Sequence, residues 1–243
     1  MRNNRIIVFV LAIFTIGCTD PEIDITKHEF YPIPDSEIEM AIDSIGTFPE
    51  IIPIREGRSV RELIRLEGNI RSAIQDRDTS FIYDLLSDSV SLSFGGHWGK
   101  SDFRDLWHLE RDSTEFWEEF GDAFYLGGYF NEDSSAYTFP YMFGHMPQSY
   151  DFFFSAVGAL DHVGIYQQPN DTTLFYTTGY TVFEVTPSSM TQEEFPSSFI
   201  SVMITDQYYA YVKSNEIRSA LDYRGRLEKR NGDWKLLSWI AGD

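Results

Sequence analysis

Leu221-Asp-Tyr-Arg-Gly-Arg-Leu-Glu-Lys229, Arg230-Asn-Gly-Asp233 and Trp234-Lys-Leu-Leu-Ser-Trp239 follow one another near the end of the chain. Two alternating runs flank Asn231-Gly232, a pair whose backbone readily takes the positive φ values of a tight two-residue turn. The stretch therefore predicts an antiparallel hairpin, and a hairpin with one apolar face needs further elements to cover it. Upstream, Val60, Leu63, Glu67, Ile70 and Ile74 recur at helical period with one polar member. Ser59 followed by Glu62 fits a capping box opening that helix. A short helix is expected over Ser80–Leu86, and a strand over Val90–Phe94 that ends in the turn Gly95-Gly96. Ser101 or Asp102 would cap a helix with Phe103, Leu106 and Trp107 inward. Asp112-Ser-Thr-Glu115 would start another with Phe116, Trp117, Phe120 and Phe124 inward.

Beyond Gly127-Gly128 the pattern turns β-like. Tyr137–Phe143, Phe152–Leu160, Gly164–Tyr166, Tyr180–Val185, Phe199–Ile204 and Tyr208–Val212 are short apolar or aromatic runs, parted by turn-forming residues. Regular short strands of this kind suggest a small barrel. The fold class is α+β.

The other end of the chain speaks to location. Met1-Arg-Asn-Asn-Arg5 is basic, Ile6–Gly17 is an apolar run, and Cys18 follows. As a helix that run spans roughly 18 Å, short of the ~30 Å hydrocarbon core of a bilayer, so it reads as a signal-peptide core. Cys18 is the one cysteine, so no disulfide within the chain is possible. Removing residues 1–17 takes Arg2 and Arg5 from the 19 basic residues; 17 then face 38 acids, a net charge of −21. So acidic a surface repels phosphate backbones, and nucleic acid is excluded as a partner. An anionic membrane repels it too, which leaves acyl chains on Cys18 as the means of attachment. Four prolines (Pro32, Pro34, Pro49, Pro53) break any long helix in the acidic stretch that follows, while Ile38, Met40, Ile42 and Ile45 would clip onto a surface.

Four resemblances add to this reading. Thr15-Ile16-Gly17-Cys18 resembles a lipobox with Thr15 in place of the usual Leu, and Thr19-Asp20-Pro21-Glu22-Ile23-Asp24 resembles the export signal of surface-exposed Bacteroidetes lipoproteins. They imply lipidation at Cys18 and an outer-membrane lipoprotein of the cell envelope, periplasmic or surface-exposed. Residues 59–109 with 221–240, closing on Asn231-Gly-Asp-Trp-Lys-Leu236, look like the cystatin-like cone of the nuclear-transport-factor and SnoaL superfamily, helices on a curved antiparallel sheet. Val157-Gly-Ala-Leu160, Val163-Gly-Ile-Tyr-Gln-Gln-Pro169 and Tyr209-Ala-Tyr-Val-Lys213 resemble bacterial Src-homology-three-like barrels. The implied organisation is a signal peptide over 1–17 and an acidic tether over 18–57. The cone-like domain then begins over 58–150, is interrupted by a Src-homology-three-like module over 151–218, and is completed by the hairpin of 219–243.

Chemistry is sparse. None of His28, His97, His108, His145 and His162 stands at helical metal spacing, and no metal or cofactor is expected. Nucleophile elbows and phosphate-cradling loops are absent, and acylation would remove Cys18 as a nucleophile. No catalytic residue is assigned. In Gly95-Gly-His97-Trp98-Gly99-Lys100, Trp98 offers a ring for stacking on a sugar and His97 a proton exchanger near neutral pH; a solvent-facing turn is the plainer alternative. Thr138-Phe-Pro-Tyr141-Met-Phe143 and Tyr208-Tyr-Ala-Tyr211 offer a stacking platform or simply core rings. The ligand-binding candidates are His97, Trp98, Tyr141, Tyr211 and Tyr223. The favoured function is a lipid-anchored accessory module contacting cell-wall glycan, peptide or an envelope protein. The rival is a small-molecule-binding or isomerase-like cone enzyme using residues around His97 and Tyr223.

Overall fold

The computed structural model describes residues 30–186 and 198–242. In chain order the first elements are β1 (Tyr31–Pro32), α1 (Ile38–Ile45), α2 (Arg61–Asp76), α3 (Thr79–Leu85) and β2 (Leu86–Ser91). Next come α4 (Gly99–Trp107), α5 (Phe116–Tyr125), β3 (Tyr129–Phe130), β4 (Ala136–Phe139), β5 (Ser155–Gly158), β6 (Val163–Tyr166), β7 (Leu174–Thr178) and β8 (Val182–Glu184). The last are β9 (Phe199–Met203), β10 (Tyr208–Lys213), β11 (Ile217–Ser219), β12 (Arg224–Arg230) and β13 (Asp233–Ile240). The class is α+β. The described residues divide into two compact units, one of 30–50 with 147–220 and one of 51–146 with 221–242.

The second unit is built on the closing hairpin. Its five-stranded sheet runs β2-β13-β12-β4-β3, parallel only between β2 and β13. Asn231 and Gly232 turn the hairpin with φ of 53° and 95°, as the dipeptide requires. Leu236 and Trp239 both point inward, although alternation would put residues three apart on opposite faces. The reason is a slip of the β12–β13 ladder between Arg226 and Leu227, which leaves Leu237 without an opposite number. Leu63 and Ile70 of α2, Ile82 of α3, Phe103 and Trp107 of α4, and Phe116, Phe120 and Phe124 of α5 bury against Tyr137, Phe139, Leu227, Leu236 and Trp239. The rings meet edge to face (Phe103–Phe116 at 5.4 Å) or stacked (Phe116–Phe120 at 5.0 Å). Such pairs add roughly 0.5–1.5 kcal/mol each beyond burial.

Glu67, the polar member of the apolar stripe, is buried on the inward face of α2. The Tyr137 hydroxyl donates to its Oε1 at 3.2 Å. Burial, then the Glu67 carboxylate, pushes the Tyr137 phenol well above its ordinary pKa.

The first unit holds a sheet of order β1-β10-β6-β7, with β9 on the other edge of β10, and a three-stranded sheet β11-β5-β8. Ile33, Ala41 and Ile45 join Val163, Ile165, Phe183, Val202 and Val212 in its core. Across the larger sheet Tyr166, Phe199 and Tyr211 form a second, smaller cluster with Tyr209 against it.

Several expectations need correction. The tether drawn over 18–57 is shorter, because from β1 onward the chain pairs with β10 and sends α1 into the core. Ser59 and Glu62 form no capping box: Ser59 donates to the Glu56 carbonyl within a 3₁₀ turn, and Val60 stands at the N-cap. Leu106 is 55% exposed, since α4 buries only Phe103 and Trp107. The strand expected at Val90–Phe94 begins at Leu86 and ends at Ser91. Among the described residues none of the three sheets closes into a barrel. Cys18 and the leader lie outside the described residues.

Candidate functional site

In the second unit Phe94, Arg224 and Phe143 stand together, although each comes from a different part of the chain. The loop after β2 carries the first ring. It closes on itself because Ser93 Oγ accepts the N–H of Gly95 and of His97, each at 3.2 Å, while the Leu92 N–H donates to the His97 carbonyl at 3.0 Å. Asp102 Oδ2 accepts the Trp98 N–H at 3.1 Å and fixes the entry into α4. With its backbone bonded inward, the loop turns its rings outward, Phe94 62% and Trp98 68% exposed. His97 Nδ1 lies 3.5 Å from Asp102 Oδ2, both well solvated, so that pair adds little rigidity.

The second ring comes from the 3₁₀ turn Tyr141–Gly144, which follows β4 and Pro140. Tyr141 stacks on His145 at 3.7 Å with a 14° interplanar angle. His145 Nδ1 is 2.9 Å from the Tyr141 carbonyl. A carbonyl only accepts, so Nδ1 carries the hydrogen and Nε2 is the acceptor of the neutral ring. Tyr129 packs edge-on to both, 5.3 Å from His145 and 6.5 Å from Tyr141. Gly144 permits this approach, because a Cβ there would lie 2.3 Å from the Tyr129 ring. Burial raises the Tyr129 phenol pKa, against the pull of Arg224 and Arg226; burial, then Glu56, raises that of Tyr141. Both phenols therefore stay neutral donors at neutral pH.

Arg224, at the start of β12, joins loop and turn. Its guanidinium carbon lies 4.4 Å from the Phe143 ring centre and 5.6 Å from that of Phe94. Only 8% exposed, it holds a largely desolvated charge between two ring faces, where cation–π attraction is worth about 0.5–2 kcal/mol. Aromatic faces, the neutral Tyr141 phenol and an imidazole acceptor suit a ligand with C–H faces and hydroxyl or amide groups, such as a sugar or an extended peptide.

His97, Trp98 and Tyr141 are thus on the loop and the turn that Arg224 connects. Tyr223 is one residue away but on the core side: it stacks on Trp239 at 5.1 Å and meets Trp107 edge-on at 5.0 Å. Burial raises its phenol pKa, helped by Glu119, Asp222 and Glu115. Tyr211 belongs to the other unit and is 4% exposed, buried in the second cluster of its sheet, so as a ligand platform it is corrected to a core residue. Sequence reasoning missed Arg224, His145 and Tyr129, since nothing near each in sequence marks it; Phe94 and Phe143 lay inside quoted segments without a role. Among the described residues no group of three or more His, Cys, Asp or Glu could hold a metal ion, and no helix is long and apolar enough to cross a membrane. No protein-family model, curated protein or solved structure matches the chain.

Proposed function

We propose that this chain is a lipid-anchored accessory protein of the cell envelope that binds cell-wall glycan or peptide through the aromatic face around Arg224. The observation that carries this is the bracketing of Arg224 by Phe94 and Phe143, which ties the Trp98 loop to the Tyr141 turn. A rigid aromatic surface loses little conformational entropy when a ligand stacks on it. On this reading the helix-covered unit is a cystatin-like cone and the other a Src-homology-three-like module. The five-stranded sheet with helices on one face, and the paired small sheets, support those two likenesses. Acyl chains on Cys18, each buried methylene worth about 0.8 kcal/mol, would anchor the protein to the outer membrane.

Co-sedimentation with purified peptidoglycan tests the proposal. Wild-type protein is expected in the pellet and Trp98→Ala in the supernatant; a wild type that stays in solution removes wall glycan and wall peptide as ligands.

The isomerase-like alternative draws on one feature, the Tyr223 phenol with Glu115 and Glu119 nearby. Against it, the rings of Phe103, Phe116, Phe120 and Trp239 fill the space between helices and sheet that a substrate would need. The packing favours the binding role.

A further inference from the structure

The helix-covered sheet is irregular where β2 lies along β13. Leu86 pairs with Leu236 and Ser91 with Ser238, so β2 runs through Ser87, Asp88, Ser89 and Val90 while β13 passes only Leu237. Leu237 is also the residue skipped in the ladder with β12. Both neighbours of β13 therefore slip at one residue, and the bowed edge strand leaves a gap. A cleft of about 500 Å³ opens there, with Leu86 and Leu237 in its lining. Ligand sites typically measure about 300–1,000 Å³, and bulges gather beside such sites.

Charge in the cleft is sorted by depth. Lys100 comes from the first turn of α4, Lys235 from β13 and Arg230 from the hairpin tip, with the carboxylates of Asp88 and Asp233 beside them. The Lys100 side chain is 31% exposed, while its partner Asp88, 3.3 Å away, is 98% exposed. Lys235 is half-buried, and its Nζ donates to the Asp84 backbone carbonyl at 2.6 Å, a neutral partner. Arg230 is drawn toward Glu228 at 2.6 Å. The less solvated charges are thus cationic and the acids stand in water, so an entering ligand trades solvent for lysine rather than for carboxylate. The Ser87 and Ser89 hydroxyls, 3.3 Å apart on the bowed strand, supply partners for ligand hydroxyls.

We infer that this cleft binds a small anionic polyol, of the class of a sugar acid or sugar phosphate. Its anionic group meets Lys235 and Lys100, and its hydroxyls meet Ser87 and Ser89. The lining of the cleft shares no residue with the aromatic face.

Isothermal calorimetry with D-glucuronate as probe and D-glucose as neutral control tests this. Wild type should bind glucuronate and ignore glucose. Lys235→Met should weaken glucuronate binding by roughly tenfold or more, the loss expected for one charge-assisted hydrogen bond. Ser89→Trp, on the exposed edge strand, fills the cleft without removing a charge and should abolish binding, while Trp98→Ala should leave it intact. Circular dichroism establishes that each variant is folded; should Lys235→Met fail to fold, Ser89→Trp carries the test alone. Absence of glucuronate binding, equal binding of glucose, or unchanged affinity in folded Lys235→Met or Ser89→Trp overturns the inference.

Discussion

Tyr141 and His145 are joined twice: their rings stack 3.7 Å apart, and His145 Nδ1–H bonds to the Tyr141 carbonyl at 2.9 Å. One residue pair thereby fixes two rings relative to the backbone of a single turn. Tyr129, edge-on beneath them, ties that turn to the sheet.

Tyr141→Ala should lower affinity for peptidoglycan by roughly threefold to tenfold, since one aromatic contact is worth about 0.5–1.5 kcal/mol. Tyr141→Phe keeps the ring but loses the phenol donor and should fall between wild type and Tyr141→Ala. Sedimentation isotherms for the three proteins separate the outcomes, and superimposable curves would rule Tyr141 out as a contact.

Gly144→Ala puts a methyl carbon 2.3 Å from the Tyr129 ring, and either the turn or the ring must move. Overpacking of this kind destabilises by about 1–3 kcal/mol. A lowered thermal midpoint together with weakened wall binding is expected; an unchanged midpoint would contradict the packing.

Tyr137→Phe removes the phenol that donates to the buried Glu67 carboxylate and leaves that acceptor short by one bond. The penalty should be about 1–3 kcal/mol in urea unfolding. Glu67→Leu combined with Tyr137→Phe should recover part of it, because neither polar partner then remains. A double variant no more stable than Tyr137→Phe would show that the bond does not explain the loss.

Alkaline pH should destabilise the fold. The phenols of Tyr83, Tyr129, Tyr137 and Tyr223 are all raised above their ordinary value, chiefly by burial, and Tyr83, bonded to Glu110, is pushed up to about 12. The folded chain thus holds protons that the unfolded chain releases from about pH 10. The stability contributed is complete below that pH and is lost as pH rises through the folded values. Urea midpoints should be level from pH 8 to pH 9.5 and fall steadily above pH 10; a midpoint that rises there would contradict the burial of these rings.

Cys18→Ser should release the protein from the membrane fraction of cells that otherwise retain it. Mass spectrometry of the wild-type product should find a diacylglyceryl thioether on Cys18. A free thiol there would remove the anchor and the envelope assignment with it.

The local part of the fold was legible because its causes are local. Asn231-Gly232 predicts its hairpin from backbone sterics alone, and the spacing of Phe116, Phe120 and Phe124 predicts an inward helix face. Where tertiary contacts compete with local rules, the reading slipped. Ser59 and Glu62 have capping-box spacing, yet the chain enters a 3₁₀ turn that Ser59 closes through the Glu56 carbonyl. Leu106 fits an apolar stripe, but α4 meets the core only through Phe103 and Trp107. Tyr211 reads equally well as platform or core, and the packing of Tyr166 and Phe199 puts it inside. Glu67 looked like an exception in an apolar stripe until Tyr137, seventy residues away, supplied its donor.

By itself the sequence determined the lone cysteine, the net acidity, the α+β class and the hairpin at the end, since each depends on composition or on neighbours along the chain. Only the tertiary structure decided that Arg224 lies between Phe94 and Phe143, and that two ladders slip at Leu237 to open a cleft. Those arrangements depend on which distant segments pack together, and no periodicity along one segment encodes its partner on another.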